Sequence, residues 1–257
     1  ILFLISNFIW SETGFEILEK AKALYEKTTK TQRPEEIEKY KEVTKLLKEA
    51  IEKTENQEIK KQIYPLLIET LDLSAEYREK HEKLKEYACL LYPEEKEKQA
   101  TYLKQYADQL KEKGEIPEAI ILYRKVAKDY LKIKEAKESY FQLGKIFRNE
   151  MDIKNMTECY DFLIKKYEDI IIDKEWVEII SDFRFFKKYD RAIELSKIVL
   201  DKYPNSPFTE DVLFILGILY KENKDLVKAK EIWKIYLEKY PESIRSLTIK
   251  KFLQSGQ

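Results

Sequence analysis

The stretch NSPFTEDVLFILGILYKENKDLVKAKEIWKIYLEKYP, residues 205–241, predicts two helices joined by a turn. Residues 208–222 place apolar side chains at the three- and four-residue spacing of an amphipathic helix. A polar break at 223–225 follows, and a second amphipathic run over 226–240 stops at Pro241. Proline cannot continue a helix, and it biases the preceding residue toward extended geometry. The stretch is therefore one complete helix–turn–helix unit.

The outline of this unit recurs upstream at intervals of 36 or 37 residues. One column of the second helix holds Ala119, Met156, Ala192 and Ala229. Four residues later in the same helix stand Tyr123, Tyr160, Ser196 and Trp233. A column of the first helix holds Ala107, Gly144, Ile180 and Gly217, and each unit closes on Tyr130, Tyr167, Tyr203 or Tyr240. Four units in register predict a chain built from repeated helix pairs.

The glycines in this register predict close contact between paired helices. A glycine inside a helix costs roughly 0.8–1 kcal/mol relative to alanine, so Gly144 and Gly217 are expected where no side chain fits. We expect the small residues of the partner helices, Ala119, Ala192 and Ala229, to face this position. Ile180 and Met156 break the small-residue rule, and we expect the helix pairs there to be splayed or shifted.

These columns resemble the tetratricopeptide repeat family, which has small residues at the contact between its two helices, an aromatic residue in the second helix, and a period of about 34. The linkers KYPNSP (202–207) and KYPES (239–243) are similar to those of bacterial envelope members. Two such groups are outer-membrane assembly lipoproteins and periplasmic Tol-associated coordinators. The resemblance covers residues 98–243. It implies an all-α fold, a right-handed α-solenoid of antiparallel helix pairs, that serves as a binding scaffold.

Four segments are predicted along the chain. Residues 1–13 form an apolar N-terminal segment, and 14–93 form helical hairpins that resemble degenerate repeats, with helices expected at 16–31, 33–53, 59–73 and 75–91. Residues 94–242 hold the four clear units, at 98–130, 135–167, 173–203 and 208–240. A capping helix and tail complete the chain over 243–257, with polar residues suited to the exposed end of a repeat array.

Residues 1–10 differ from the rest because eight of them are apolar and none is charged. This run is shorter than the roughly 20 residues that a membrane-spanning helix needs, and it matches the apolar region of a signal peptide. That interpretation predicts export to the bacterial periplasm or envelope, with only indirect membrane association. The alternative is an apolar first helix packed on the end of the solenoid, in a cytoplasmic adaptor.

Neither the composition nor the motifs indicate catalysis, metal binding or nucleic-acid binding. Lys and Arg together number 48, as do Asp and Glu, so the formal net charge is zero and the basic surface of a nucleic-acid-binding protein is not indicated. His81 is the single histidine, the two cysteines are isolated, and no phosphate-binding or metal-binding motif is present. We expect His81 to be exposed and Cys89 and Cys159 to lie in or near the core. No enzyme, cofactor or metal is predicted.

A candidate partner-binding surface lies on the first helices of the units, which should line the inner face of the solenoid. A column four residues beyond the small position is basic in every unit: Lys111, Arg148, Arg184 and Lys221. Apolar residues three positions before it (Phe141, Val177 and Phe214, with Lys104 in the first unit) and Lys145 and Ile218 one position after it share this face. The set predicts a groove for a protein or peptide with acidic and apolar residues. The alternative is a solvated face, because cations near a helix C-terminus also favour the helix dipole.

Two functions from different classes follow. The first is a non-catalytic adaptor that binds a partner protein or peptide through the inner face. The second is a self-assembling structural protein that uses the apolar N-terminus and the aromatic residues Trp233, Tyr236 and Phe252 for stacking. The sequence leaves the partner, the pathway and the oligomeric state open.

Overall fold

A computed structural model describes residues 13–168, 171 and 173–254, which form thirteen α-helices and no strand. The first seven are α1 (Gly14–Tyr25), α2 (Pro34–Glu52), α3 (Gln57–Leu73), α4 (Tyr77–Leu91), α5 (Lys96–Glu112), α6 (Ile116–Asp129) and α7 (Lys134–Asn149). The others are α8 (Ile153–Tyr167), α9 (Asp173–Phe185), α10 (Tyr189–Lys202), α11 (Thr209–Glu222), α12 (Leu226–Lys239) and α13 (Ile244–Gln254). The predicted all-α solenoid of helix pairs is confirmed. The predicted N-terminal signal segment lies outside the described residues, apart from Thr13.

The chain divides between Ser139 and Tyr140 into two compact units. In the first unit α1 packs on α2, α3 on α4, and α5 on α6, while α2 and α4 also contact the helix that follows them. In the second unit α9 packs on α10, α10 on α11, and α11 on α12. Among the helices of these ranges, none has the length and apolarity needed to cross a bilayer.

The turns inside the helix pairs repeat one geometry. Residues with positive φ stand at Ala75, Gly114, Met151, Lys187 and Lys224. In each case the next residue donates its N–H to a carbonyl five positions back, as Asp225 does to Tyr220 at 2.9 Å. This is the Schellman ending of a helix, which normally prefers glycine at the left-handed position. The same turn joins α3 to α4, where the sequence shows only a degenerate repeat.

Helix α1 is shorter than predicted, since it ends at Tyr25 rather than near residue 31. The Thr28 hydroxyl donates to the Tyr25 carbonyl at 2.8 Å, and the Glu36 carboxylate accepts the Thr29 N–H at 2.9 Å. Side chains that bond the local backbone compete with the helical ladder. The threonines and Glu36 therefore end the helix early.

The glycines in the first helices make room for aromatic rings. A Cβ at Gly144 would lie 2.1 Å from the Tyr160 ring, and one at Gly217 would lie 2.1 Å from the Trp233 indole. The prediction that alanines face the glycines was wrong. Ala229 is buried, but the aromatic residue four positions later fills the space. The glycine column and the aromatic column are thus complementary in volume.

The pair α9–α10 reverses this arrangement. Ile180 occupies the position of the glycines and Ser196 that of the aromatic residues, and both are fully buried. The splay expected at Ile180 stays a prediction. At Met156, the other exception, the side chain is fully buried.

Candidate protein-binding face

The predicted site residues of the second unit lie on the first helices of the pairs. We call this surface, on α7, α9 and α11 together with α13, the A-face. Lys111 lies half-buried on α5, in the first unit, and is not counted as part of the A-face. The other eight predicted residues belong to the A-face.

Arg184 is held by the next first helix. Its Nε and Nη2 donate to the two carboxylate oxygens of Glu222 on α11, at 2.9 and 2.6 Å. The hydrogen bond to Glu222 raises the pKa of Arg184, so the guanidinium stays charged. A bidentate pair of this kind fixes the plane of the guanidinium as well as its position. Arg184 is therefore a preorganised cation on the surface.

Arg148 also contacts the next first helix, through an ion pair without the bidentate hydrogen bonds of Arg184. Its Nε lies 3.2 Å from Asp182 Oδ1, and its guanidinium carbon lies 4.4 Å from the centre of the Phe185 ring. Asp182 also accepts a hydrogen bond from the Tyr160 hydroxyl at 2.7 Å. Burial raises the pKa of Asp182, although Tyr160 and Arg148 act in the opposite direction. Arg148 thus has both a carboxylate and an aromatic partner on α9.

Two further cations contact neighbouring first helices. Lys145 donates to Glu178 on α9 at 2.8 Å, and the Lys221 ammonium lies 4.5 Å from the centre of the Phe252 ring on α13. The basic column of the second unit therefore joins successive first helices. These contacts give the column a structural role, and its role toward a partner remains a prediction.

The apolar residues of the A-face differ in how much surface they offer. Phe141 is 7% exposed and packs against Tyr160, so it gives a partner little to bind. Phe214 lies between Arg245 and Tyr236, with the Arg245 guanidinium carbon 5.0 Å from the ring centre. Val177 and Ile218 are half-buried. These residues therefore offer a partner less apolar surface than the sequence suggests.

Phe185 is the A-face residue that sequence reasoning missed. Its side chain is 51% exposed, and its ring meets Phe186 edge-on at 5.1 Å. It borders a depression of about 400 Å³ whose lining also includes Arg148, Arg184, Tyr189 and Glu222. The run FRFF at 183–186 was the available signal, because four bulky residues in succession cannot all face the core of one helix.

A smaller depression continues along the same helices. It has a volume of about 240 Å³, and Lys145, Arg148 and Val177 line it together with Glu178 and Asp182. The two depressions share Arg148 and Asp182. They bring together four of the predicted site residues, and they offer hydrogen-bond donors and an aromatic surface.

His81 is buried in the first unit, so the prediction that it is exposed was wrong. It lies on the core face of α4 with Leu84 and Ala88, at positions i, i+3 and i+7. Within the described chain neither ring nitrogen has a hydrogen-bond partner, and Nε2 lies 3.6 Å from Glu118. Burial, reinforced by the charge of Lys80, lowers the pKa of His81 to about 4. The ring is therefore neutral at pH 7.

Lys80, beside His81, is a buried cation with two carboxylate partners. Its ammonium donates to Asp72 on α3 and to Glu118 on α6, the latter at 2.7 Å. Burial acts to lower the pKa of Lys80, but these hydrogen bonds outweigh it and raise the pKa to about 12. The ammonium also lies within 6 Å of the Tyr77 and Tyr106 rings. This cluster joins α3, α4, α5 and α6.

The cysteines are free thiols with different environments. Cys159 is half-buried, as predicted, whereas Cys89 is exposed. Cys89 follows the buried Ala88, and one helical step of about 100° turns it away from the core. Across the described ranges, no group of three or more His, Cys, Asp or Glu side chains is arranged to hold a metal ion.

Comparison with known proteins agrees with this architecture. Residues 211–243, which include most of α11 and all of α12, match the family described as tetratricopeptide repeat. The match supports the tetratricopeptide repeat family. Proteins of that family are generally non-catalytic protein-interaction scaffolds. It does not distinguish the envelope members from the others.

One curated relative is an uncharacterized protein of Borreliella burgdorferi. It is 28% identical over 145 residues, which represent 51% of this chain and 41% of the relative. The chain therefore spans about two-fifths of the length of that protein.

Two solved structures are similar at low identity. One is YrrB, a TPR protein with an unusual peptide-binding site, at 16% identity and a TM-score of 0.47 over 80% of this chain and 97% of that one. The other is pilF of Pseudomonas aeruginosa, at 13% identity and a TM-score of 0.42 over 95% of this chain and 97% of that one.

Proposed function

We propose that this chain is a non-catalytic scaffold that binds a partner protein or peptide through its A-face. The observation that carries the proposal is the half-exposed Phe185 ring beside Arg148, at the edge of the 400 Å³ depression. Aromatic and arginine side chains supply most of the binding energy at protein interfaces. The match to the tetratricopeptide repeat supports the same function.

The arrangement favours a partner segment that combines apolar and acidic residues. Phe185 offers an apolar contact, and Arg184 uses only two of its five N–H donors on Glu222. The remaining donors of Arg184 are suited to a carboxylate of the partner. Because Glu222 and Asp182 already hold the two guanidiniums, binding costs little side-chain ordering.

The sharpest test replaces Phe185 by alanine. Phe185→Ala removes the exposed ring and leaves every ion pair of the A-face intact, so the fold is preserved. The matched control is Ile235→Ala on α12, since Ile235 is 48% exposed and lies outside the A-face. We expect a partner captured from an extract of the source cells to be lost with Phe185→Ala and retained with Ile235→Ala. Equal capture by both variants, with equal helical circular dichroism, would reject the A-face.

Reversing the charges of the basic column tests partner binding by the A-face less clearly than the sequence suggests. Arg184→Glu would place two carboxylates together at Glu222, and Arg148→Glu would do the same at Asp182. Loss of binding in such a variant could then reflect a disturbed helix contact. The aromatic variant avoids this ambiguity.

A second candidate function, self-assembly, has its own observation. Ile244 and Leu247 lie one turn apart on α13 and are 87% and 65% exposed. Exposed apolar residues on one helix face can join two copies. Sedimentation over a range of concentrations decides between the functions. Self-association that Ile244→Asp/Leu247→Asp abolishes supports assembly, whereas a monomer at every concentration supports the adaptor.

We also propose that the protein works in the bacterial envelope. The proposal rests on the apolar residues 1–10, which lie outside the described part of the chain, and on the linkers at 202–207 and 239–243. Fractionation of cells that express the full gene tests it. Recovery with periplasmic or envelope markers supports export, and recovery with cytoplasmic markers supports the cytoplasmic alternative.

A further inference from the structure

A cleft lies between the second helices α8 and α10 of the second unit, and none of its lining residues belongs to the predicted partner-binding set. Its volume is about 630 Å³, which is within the range of roughly 300–1,000 Å³ of known ligand pockets. Its lining includes Phe183 of α9, Thr157 and Glu158 of α8, and Lys188, which immediately precedes α10. It is larger than the depressions of the A-face.

The repeat that contributes α9 and α10 to the cleft differs from the following repeat in sequence. Ile180 of α9 and Ser196 of α10 stand where the neighbouring repeat has Gly217 and Trp233. Across the cleft, Arg191 of α10 donates to Asp161 of α8 at 2.6 Å. This ion pair ties the walls together at one point.

The charges around the cleft favour an anionic ligand. Arg191 is already neutralised by Asp161 and Glu194, at 2.6 and 2.7 Å. Lys154 and Lys188 are exposed, and neither forms an ion pair with another residue of the described chain. Glu158 is the remaining acidic residue of the lining. Lys154 also interacts with the neighbouring Asp152 carboxylate, whose pKa it helps to lower, so Lys188 is the ammonium group most available to a ligand.

We propose that the α8–α10 cleft is a second binding site, for a peptide segment with one large apolar side chain beside a carboxylate. The apolar side chain packs between the helices toward Phe183, along the aliphatic stems of the lysines. The carboxylate pairs with Lys154 and Lys188. Because the cleft is open to solvent, it leaves much of a small molecule exposed, whereas well-bound small ligands are mostly buried. A segment of a larger partner gains further contacts outside the cleft.

The test is selection of a phage-displayed library of random short peptides on the whole chain. Enriched peptides are then resynthesised, and their affinity is measured by fluorescence anisotropy. We expect a group that shares a large apolar residue next to Asp or Glu. Its affinity should fall at least about tenfold for Lys154→Glu/Lys188→Glu and for Thr157→Trp, which fills the cleft, and remain unchanged for Phe185→Ala. The charge-reversal variant changes only exposed side chains, so it remains informative if Thr157→Trp unfolds.

The outcomes separate this site from the A-face. Peptides that lose affinity only for Phe185→Ala would support the proposed function and overturn the cleft proposal. Peptides that bind the cleft variants as tightly as the parent chain, enrichment of basic peptides, or no enrichment would also overturn it. Cleft-dependent peptides combined with unchanged partner capture by Phe185→Ala would support the cleft and reject the A-face.

Discussion

At the scale of single residues, helix contacts in this protein depend on complementary volumes. Gly217 leaves space that the Trp233 indole fills, while Ile180 stands at the equivalent position where Ser196 replaces the aromatic residue. The Trp233 ring is also held on its other side, since Phe252 meets it edge-on at 4.7 Å. An additional methyl group in α11 therefore has no space to occupy.

We predict that Gly217→Ala destabilises the protein by about 1–3 kcal/mol, the usual cost of overpacking a core. This loss outweighs the gain of about 1 kcal/mol that alanine brings to an exposed helix. Urea denaturation followed by circular dichroism measures the difference. In a Trp233→Ser background, which imitates the Ile180–Ser196 pair, the same change should be neutral or stabilising. Equal destabilisation in both backgrounds would show that the ring is not the cause.

His81 is a residue whose burial makes stability depend on pH. Its folded pKa of about 4 lies below the ordinary value of 6.5. Between these values the unfolded chain binds a proton that the folded chain does not, so the free energy of unfolding falls as the pH falls. The effect is absent above about 6.5 and complete below about 4. Lys80, Lys125, Glu82, Asp72 and Glu118 are the charged groups that surround the ring.

We predict that His81→Gln removes this part of the pH dependence. The stability of the parent chain relative to the variant should decrease as the pH falls from about 7 to about 5, a range in which ordinary carboxylates stay largely ionised. Urea denaturation at several pH values measures the difference between the two proteins. A difference that stays constant over the range would mean that His81 titrates normally in the folded chain.

At the scale of elements, successive first helices are joined by side-chain contacts. Arg148 reaches from α7 to α9, Arg184 from α9 to α11, and Lys221 from α11 to α13. Each partner lies more than thirty residues further along the chain. The basic column therefore has a role in stacking the repeats, whatever its role toward a partner.

We predict that Arg184→Glu and Glu222→Arg each destabilise the protein by about 1 kcal/mol, near the upper end for a partly exposed ion pair. The single variants place like charges together, and the double variant restores an opposite pair. Its stability should therefore exceed the value expected from adding the two single effects. Urea denaturation of the parent chain, the two single variants and the double variant in low salt gives the coupling free energy between Arg184 and Glu222. Additive effects would rule out an energetic contact between α9 and α11 here.

At the scale of the whole molecule, each repeat is expected to be stabilised mainly by its contacts with the adjacent repeats. Each helix pair of a repeat protein contacts mainly the adjacent pairs, so damage to one repeat spreads poorly. In the second unit, α13 covers the last pair through Phe252, which contacts both Trp233 and Lys221. A helix is present where one was predicted within residues 243–257, and its capping role stays a prediction.

We predict that Phe252→Ala loosens the last repeat selectively. Amide hydrogen exchange should become faster in α11, α12 and α13 and stay unchanged in α8, because the lost contacts are local. Mass spectrometry of peptides from each helix measures the rates. Uniformly faster exchange throughout the second unit would indicate instead that the unit opens as one cooperative body.

The sequence by itself determined the helix pairs, their register and most of their ends, because apolar periodicity, glycine and proline act over a few residues. Only the tertiary structure decided which side chains share a space: Trp233 beside Gly217, Glu222 beneath Arg184, and Phe185 at the edge of a depression. These contacts join residues on different helices, so no local pattern specifies them. His81 is a case in which the local pattern predicted the helix but not the burial of the side chain. It stands 38 residues before Ala119, at the small position of a degenerate repeat, and its burial became evident only when α4 packed.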